Sequence, residues 1–262
     1  MSEHTVAIGK ALEESIRESV EGRDMAVAFS GGLDSGIVAA LTKRYAGSVT
    51  LYTVGYGDSY DMRMAEGMAS DLGMELVRLP ITEENLIESL KEMISVTGTS
   101  SPLTVAFETP LFYVCRDCRE DLIIGGQGSD EIFAGYSKYV GLPDAELKAM
   151  MAEDLEKLKG PTLAHEGKVA AHFGRTILYP FMDPRVTGAV SAVGTDVLRP
   201  VGKDGRKTVL KEVATEMGYP FIADKQKKAA QYGSGMMDAV RRICRSKGMT
   251  FTELVEELRP GL

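Results

Sequence analysis

Apolar and polar positions along the first half of the chain follow two different periods. Ile8, Leu12, Ile16 and Val20 recur every four residues among polar ones, which predicts an amphipathic lead-in helix with one buried face. Short apolar runs typical of buried strands follow at residues 25–29, 49–54, 75–79 and 122–124. Longer helical patterns separate or precede these runs, at residues 36–45, 60–72, 82–96 and 109–119.

Strands that alternate with helices predict a doubly wound α/β fold, with a mostly parallel sheet covered on both faces. In such folds, ligands bind beyond the carboxyl ends of the strands. After residue 141 the strand signals fade, and residues 143–159 have a helical pattern. We therefore expect a nucleotide-binding core over residues 1–141 and a helical C-terminal extension over 142–262 that completes the active site. A single continuous domain is the alternative division.

Composition narrows the class of protein. The 262 residues are 44% hydrophobic and 26% charged, which is typical of a globular chain. A net charge of −8, from 38 acidic and 30 basic side chains, would repel a nucleic-acid backbone and favours a small substrate. The chain has no apolar run of the roughly 20 residues that cross a bilayer, and no apolar signal core at its start. We expect a cytoplasmic protein that contacts no membrane.

The segment directly after the first predicted strand has the features of a phosphate-binding loop; it reads Ser30-Gly31-Gly32-Leu33-Asp34-Ser35. Glycines let backbone N–H groups turn towards an anion, serine hydroxyls can donate, and the helix start adds partial positive charge. A lone carboxylate would repel phosphate, so we interpret Asp34 as a ligand of Mg²⁺ that bridges to the phosphates. The loop lacks the Gly-Lys-Ser/Thr ending of kinase-type loops, which argues against γ-phosphoryl transfer. A simple turn before a helix is the alternative.

This loop resembles that of the N-type ATP pyrophosphatases, the PP-loop or adenine nucleotide alpha hydrolase-like family, which cleaves ATP between the α- and β-phosphates. Further segments resemble, in the same order, those of the synthetase domain of asparagine synthetases. They are Gly126-Gln127-Gly128-Ser129-Asp130-Glu131-Ile132-Phe133-Ala134-Gly135-Tyr136, Tyr179-Pro180-Phe181-Met182-Asp183, Lys207-Thr208-Val209-Leu210-Lys211, Lys225-Gln226-Lys227-Lys228 and Gly233-Ser234-Gly235. The resemblance runs from about residue 25 to about residue 235.

The resemblance implies ATP and Mg²⁺ as cofactors and adenylation of a carboxylate, with release of pyrophosphate, before amide formation. It implies that Asp34 and Asp130 hold magnesium, that Lys207 contacts phosphate and that Lys227 is the cation at the reacting centre. For Lys225 and Lys228 a solvated basic cluster is at least as good an interpretation. The implied nucleotide-binding residues are Ser30, Gly31, Gly32, Leu33, Asp34, Ser35, Val54, Gly55, Gly126 and Gln127, with Val54 and Gly55 beside the adenine.

Three departures from the family pattern leave the substrates open. Ser2 stands where the glutamine-hydrolysing synthetases carry a cysteine nucleophile, so we expect no glutaminase domain and nitrogen from ammonia, another amine or a separate glutaminase subunit. Gln127 replaces the family's glutamate, and an amide cannot accept a proton as a carboxylate can. Thr176 and Leu178 replace the family's Glu-x-Arg, although Arg175 lies nearby. Aspartate is the first candidate carboxylate, and a homodimer is also considered.

Two other functions compete with this one. Cys115, Cys118 and Cys244 resemble the iron–sulfur arrangement of certain tRNA-thiolating relatives, and three thiolates could hold a cluster with one open iron. Against this, Cys115 and Cys118 fall within a helical pattern, where free cysteines commonly pack in a core. The other alternative is a nucleotide-binding sensor without catalysis, which the loss of the glutamate at Gln127 makes conceivable.

Overall fold

The computed structural model of the protein describes residues 2–202, 205–224 and 230–259. At its centre is a sheet of five strands: β1 (Asp24–Ala28), β2 (Ser48–Tyr56), β3 (Leu76–Ile81), β4 (Leu122–Ile124) and β5 (Thr176–Leu178). The strands lie in the order β3-β2-β1-β4-β5, and every neighbouring pair is parallel. The structure therefore confirms the predicted α/β class.

Helices surround this sheet. They are α1 (Glu3–Val20), α2 (Leu33–Tyr45), α3 (Tyr60–Leu72), α4 (Glu83–Thr97), α5 (Pro102–Asp117), α6 (Ser129–Ile132), α7 (Asp144–Lys157), α8 (Leu163–His172), α9 (Pro184–Ser191), α10 (Thr195–Leu198), α11 (Thr208–Glu216), α12 (Pro220–Ala223), α13 (Ala230–Gly233), α14 (Met236–Lys247) and α15 (Phe251–Leu258). A π-helical turn, Leu158–Thr162, joins α7 to α8. None of the helices in the described part is both long and apolar enough to cross a membrane.

The alternation of side chains along the central strand divides the core into two layers. Met25 and Val27 of β1 pack in one hydrophobic cluster with α1, α2, α9 and α11, whereas Ala26 packs in a second cluster with α4, α5, α8 and α14. Successive strand residues point to opposite faces, so burial of all three requires helices on both sides. The sheet is therefore doubly wound, as the sequence pattern predicts.

The chain reverses its winding direction between β1 and β4. These two strands are neighbours, yet the helices that pack after them, α2 and α8, belong to the first and the second cluster respectively. The loops that leave the carboxyl ends of β1 and β4 therefore diverge and open a crevice between them. This is the position where doubly wound folds bind their ligands.

Two features of the fold differ from the sequence-based expectation. The fifth helix begins at Pro102, not at residue 109, because Ser101 caps it by accepting a hydrogen bond from the Thr104 backbone N–H. Proline is commonest in the first helical turn, so Pro110 favours a later start, but here it lies inside the helix. The second difference is β5, which the pattern does not predict, because its three residues are too few to show an alternation.

The region after residue 141 contributes to the same core as the region before it. The strand β5 extends the sheet beside β4, and the first cluster contains Val186, Leu210 and Val213 together with Ile8 and Leu41. The division at residue 141 stays a prediction.

Gly31 offers a test of how tightly the loop after β1 is built. It has a φ of +70°, and a Cβ at this position would lie 2.4 Å from the backbone carbonyl carbon of Met64 in α3. Gly57 has a similar φ of +57° but nothing within 4 Å of the same point. We expect Gly57→Ala to cost about 1 kcal/mol, the penalty of a left-handed alanine, and Gly31→Ala to cost about 3 kcal/mol or more. Urea unfolding of both variants measures this difference, and equal losses would show that the loop can move away from α3.

Candidate functional site

The loop between β1 and α2 forms one wall of a cavity of about 330 Å³ at the carboxyl edge of the sheet. Ser30, Asp34 and Ser35 line this cavity. The hydroxyls of Ser30 and Ser35 lie 3.3 Å apart, and the Ser30 backbone N–H donates to the Ser35 hydroxyl. Gly31 brings the loop against the backbone of α3, so the loop is supported from behind. The hydroxyls and the start of α2 thus face a common space in which an anion could lie.

Three predicted site residues from distant parts of the chain meet beside this loop. The ammonium of Lys207 lies 2.7 Å from Asp34 Oδ1 and 2.8 Å from Asp130 Oδ1. It donates hydrogen bonds to Asp34 Oδ1 and, over 2.7 Å, to the Ser129 hydroxyl, and its contact with Asp130 is an ion pair. Lys207 is 4% exposed, and this burial lowers its pKa. The charge of Asp34 and its hydrogen bond to the ammonium favour the charged form and raise the pKa, but by less.

The backbone around Lys207 is strained in a way that serves this contact. Lys207 has a φ of +57° and Ala134 one of +51°, and these are the non-glycine residues of the described chain with positive φ. Such conformations cost about 1–3 kcal/mol each and persist where the surroundings impose them. A Cβ on Gly135 would lie 1.9 Å from Asp130 Oδ1 and 2.2 Å from Lys207 Cε. Only glycine leaves room for the ion pair at that position.

The two carboxylates fit the ligand chemistry of Mg²⁺. Carboxylate oxygens are its preferred protein ligands, and Mg²⁺ commonly takes one or two of them together with substrate phosphates and water. Asp34 and Asp130 both line the cavity and reach the same ammonium, so their oxygens converge on one region. The pair is therefore suited to a cation shared with a nucleotide. No cluster of three or more His, Cys, Asp or Glu side chains suited to a metal occurs in the described ranges.

The rest of the cavity is largely apolar. The strand β2 contributes Val54 together with Tyr52 and Thr53, and α5 contributes a row of apolar side chains opposite: Phe107, Pro110, Leu111 and Val114. Gly126 and Gln127, which follow β4, also line it. Gly126 approaches α2 closely, since a Cβ there would lie 2.9 Å from the Cβ of Asp34. An aromatic base between apolar walls and backbone is compatible with this space.

Some residues predicted to bind the nucleotide do not face the cavity. Leu33 is buried in the first hydrophobic cluster, and Gly31 packs on α3. Gly55 packs on Ser59, whose hydroxyl would lie 2.3 Å from a Cβ at that position. These residues shape the loop and the strand end from behind. Lys227, with its neighbours at 225, 226 and 228, lies outside the described residues.

An acidic corner lies at the Gln127 end of the cavity. Gln127 Nε2 donates to Glu166 Oε1 over 2.8 Å, and Glu166 and Tyr179 also line the cavity. Glu166 is 4% exposed, and this burial raises its pKa to about 7. Interactions with Tyr179 and Gln127 favour the ionised carboxylate and partly offset that rise. Behind it, burial and the charge of Glu166 raise the pKa of Glu108 to about 8. Glu108 Oε1 lies 3.1 Å from Nδ1 of His165, which reaches the surface.

Sequence reasoning missed several cavity residues. Glu166 belongs to no motif, and its helix shows only ordinary amphipathic spacing, so the sequence carries no signal for it. Tyr136 is part of the segment that resembles the family, and its hydroxyl donates to Glu131 over 2.5 Å. Arg206 precedes the predicted Lys207, lines the cavity and donates to the Gly135 carbonyl. Arg175, which lies near the family's missing Glu-x-Arg in the sequence, donates its hydrogen bonds to Asp121 and to the Cys118 carbonyl.

The cysteines have the environment of packed side chains. Cys115, Cys118 and Cys244 are all buried in the second hydrophobic cluster. Burial raises the pKa of each thiol, and that of Cys118 rises to about 11. A cluster ligand must be a thiolate, so these surroundings oppose iron–sulfur ligation.

The amino-acid sequence is similar to those of known asparagine synthetases. The family profile described as asparagine synthase matches residues 7–143. A protein of Methanocaldococcus jannaschii, provisionally assigned as a glutamine-hydrolysing asparagine synthetase, is 26% identical over 289 aligned positions, covering 96% of this chain and 53% of the relative. The chain thus spans about half the length of that relative.

Among solved structures, the NMN synthetase from Francisella tularensis is similar at a TM-score of 0.45 and 15% identity, over 100% of this chain and 89% of that one. The U34-tRNA thiolase NcsA from Methanococcus maripaludis, with its 4Fe-4S cluster, is similar at a TM-score of 0.40 and 16% identity, over 96% and 78%. Scores this low support no functional inference. The profile match, in contrast, covers more than half of the 262 residues. The chain belongs to the asparagine synthase family.

Proposed function

We propose that this protein activates a carboxylate with ATP by adenylation, releasing pyrophosphate, and that ammonia or another amine then displaces AMP to form an amide. Family membership supports ATP-dependent amidation in general. The observation that carries the finer proposal is the convergence of Asp34, Asp130 and Lys207 beside a phosphate loop without the kinase lysine. Aspartate is the first candidate for the carboxylate.

The charges at this site match the demands of adenylation. A carboxylate is itself unreactive towards amines because oxide is a poor leaving group, whereas an acyl adenylate releases AMP. Its formation brings an anionic carboxylate onto an anionic α-phosphate, so fixed positive charge must offset their repulsion. Lys207 supplies one such charge from a buried position. Arg206, at the cavity wall, supplies a second.

Each wall of the cavity has a separate part in this proposal. Ser30 and Ser35 bind the pyrophosphate portion with the N–H groups of their loop, and the apolar side chains of α5 and Val54 enclose the base. Asp34 and Asp130 would hold Mg²⁺, which supplies charge neutralisation for the phosphates when bound. Lys227 is proposed as the cation at the reacting centre on the resemblance alone.

The two competing functions have less support. A tRNA-thiolating enzyme with a cluster would need reactive thiolates, and the three cysteines are buried with raised pKa values. A nucleotide sensor would bind ATP at the same cavity but would release no pyrophosphate. Ammonia is proposed as a direct nitrogen source, and glutamine would then require a separate glutaminase subunit.

The products of ATP test the reaction class. We expect AMP and pyrophosphate to appear in equal amounts when the protein is incubated with ATP, Mg²⁺, ammonium and candidate carboxylates, with aspartate first. Chromatography of the nucleotides and a pyrophosphate assay measure this. ADP and phosphate as the products would contradict the proposal, and stimulation by tRNA but by no carboxylate would favour the thiolating enzyme. Binding of ATP without turnover would indicate the sensor.

Substitution of the two carboxylates tests the metal assignment. Asp34→Asn and Asp130→Asn each remove one anionic ligand, so the Mg²⁺ concentration for half-maximal pyrophosphate release should rise at least about tenfold. Asp154→Asn is the matched control, because Asp154 is also buried but pairs with Lys138 and Tyr139 away from the cavity. An unchanged Mg²⁺ requirement in both site variants, with intact folding by circular dichroism, would remove these carboxylates from the metal site.

A further inference from the structure

Glu166 is a buried carboxylate that faces the cavity and forms no ion pair with any described residue. Its Oε1 accepts from Gln127 Nε2 over 2.8 Å. The Tyr179 hydroxyl acts on this carboxylate and lowers its pKa, but neither that hydroxyl nor Glu166 Oε2 has a partner in full hydrogen-bonding geometry among the described residues. Two other acids at the cavity, Asp34 and Asp130, both form an ion pair with Lys207. A buried carboxylate with one oxygen left without a well-formed hydrogen bond is costly to keep, which points to a ligand or a proton that completes it.

We propose that Glu166 is the amine subsite of this enzyme and accepts the proton that the attacking nitrogen releases. The assignment rests on the proposed amide-forming reaction. In that step the nitrogen forms a bond to the acyl carbon, and the bond from this carbon to the phosphate oxygen breaks. AMP leaves with the electron pair of that bond. The proton that the nitrogen loses passes to a carboxylate oxygen of Glu166.

The position of Gln127 gives this assignment its structural basis. Gln127 lies on the loop after β4, beside Gly126, whose backbone approaches Asp34 of the phosphate loop. An amide at residue 127 cannot accept a proton, but its Nε2 can hold the Glu166 carboxylate at the same end of the cavity. The carboxylate that accepts the proton is thus Glu166 of α8, which lies 39 positions after Gln127 in the chain. Gln127 is a positioning residue in this arrangement.

The surroundings of Glu166 suit a group that gains and loses a proton near neutral pH. The titratable groups that interact with it are Glu108 and Cys115 of α5, Glu131 of α6 and Tyr179 after β5, and His165 on its own helix contacts Glu108 instead. Arg175, the cation next to β5, is engaged by Asp121. Burial raises the pKa of both acids, and the charge of Glu166 raises that of Glu108 further, to about 8.

The ligand class follows from this chemistry. An anionic carboxylate with a neutral amide beside it attracts a cationic or hydrogen-bond-donating group and repels a second carboxylate. A neutral amine can bind there by donating a hydrogen bond to Glu166, and it passes one proton to this carboxylate as it attacks the acyl carbon. The apolar lining next to it, from Leu111 and Ile177, leaves room for an alkyl group on that amine. Ammonia and small primary amines are therefore the substrates that this corner should take.

Glu166→Gln separates the two halves of the reaction. It keeps the shape of the side chain and an oxygen that can accept from Gln127, but it removes the base. With the carboxylate found in the screen above, pyrophosphate exchange into ATP reports adenylation and should stay within about twofold of wild type. Amide formation from ammonium should fall roughly 100-fold or more, the usual contribution of a general base. Hydroxylamine is a stronger nucleophile whose nitrogen loses its proton more readily after attack, so it should depend less on the base and restore much of the product.

The control is Glu108→Gln on the neighbouring helix. Glu108 is equally buried but does not line the cavity, and an amide is a close substitute for a carboxyl that keeps its proton. This variant should form amide from ammonium at nearly the wild-type rate. At a fixed concentration of unprotonated ammonia, the wild-type amide-forming rate should rise as pH increases through about 7, where Glu166 loses its proton, and Glu166→Gln should lack this rise.

The outcomes separate this assignment from the proposed function. Normal exchange with undiminished amide formation in Glu166→Gln would overturn the role of Glu166 and leave adenylation standing. An equal loss of amide formation in Glu108→Gln, or a loss that hydroxylamine does not restore, would also overturn it. Absence of carboxylate-dependent exchange in the wild-type protein would overturn the proposed function, and the assignment with it.

Discussion

The contact of Lys207 with Asp34 and Asp130 is the constraint on which the site depends. It joins the loops that follow β1 and β4 to the start of α11, across 173 residues between Lys207 and Asp34. Removing these ions from water costs several kcal/mol each, and only close pairing with full hydrogen bonding recovers that cost. The left-handed backbone at Lys207 and the glycine at position 135 are both consequences of the short distances required.

Because of this contact, the two ends of the cavity differ in charge. At one end, buried positive charge and two convergent carboxylates lie beside a loop of hydroxyls and N–H groups, which suits a metal nucleotide. At the other end, Glu166 and Gln127 form a corner in which no described cation pairs with the carboxylate, and this corner is the proposed amine subsite. Apolar side chains of α5 and β2 also line the cavity and can pack against an adenine ring. The separation keeps the base at Glu166 away from the ammonium of Lys207, which would otherwise hold it ionised and weakly basic.

The fold follows from the chain pattern wherever an element is long and buried on a clear face. The helix α3 has the predicted bounds, and β4 does as well, because apolar runs between turn residues identify them. The start of α5 and the strand β5 do not follow, for different reasons. An internal proline contradicts local helix preference and is tolerated through packing in the second cluster, whereas three residues of strand carry no periodic signal.

The sequence by itself determined the candidate phosphate loop and the acidic residue within it, because this prediction depends only on neighbours within six positions of the chain. It also placed Asp130 and Lys207 among the site residues, through segments that resemble a family. Only the tertiary structure decided that Gly55 and Leu33 support the site from behind, and that Glu166 stands against Gln127. Those facts depend on which side chains meet when α8 packs on α5 beside the sheet. Local sequence does not encode such meetings, since any acid on that helix turn would give the same pattern.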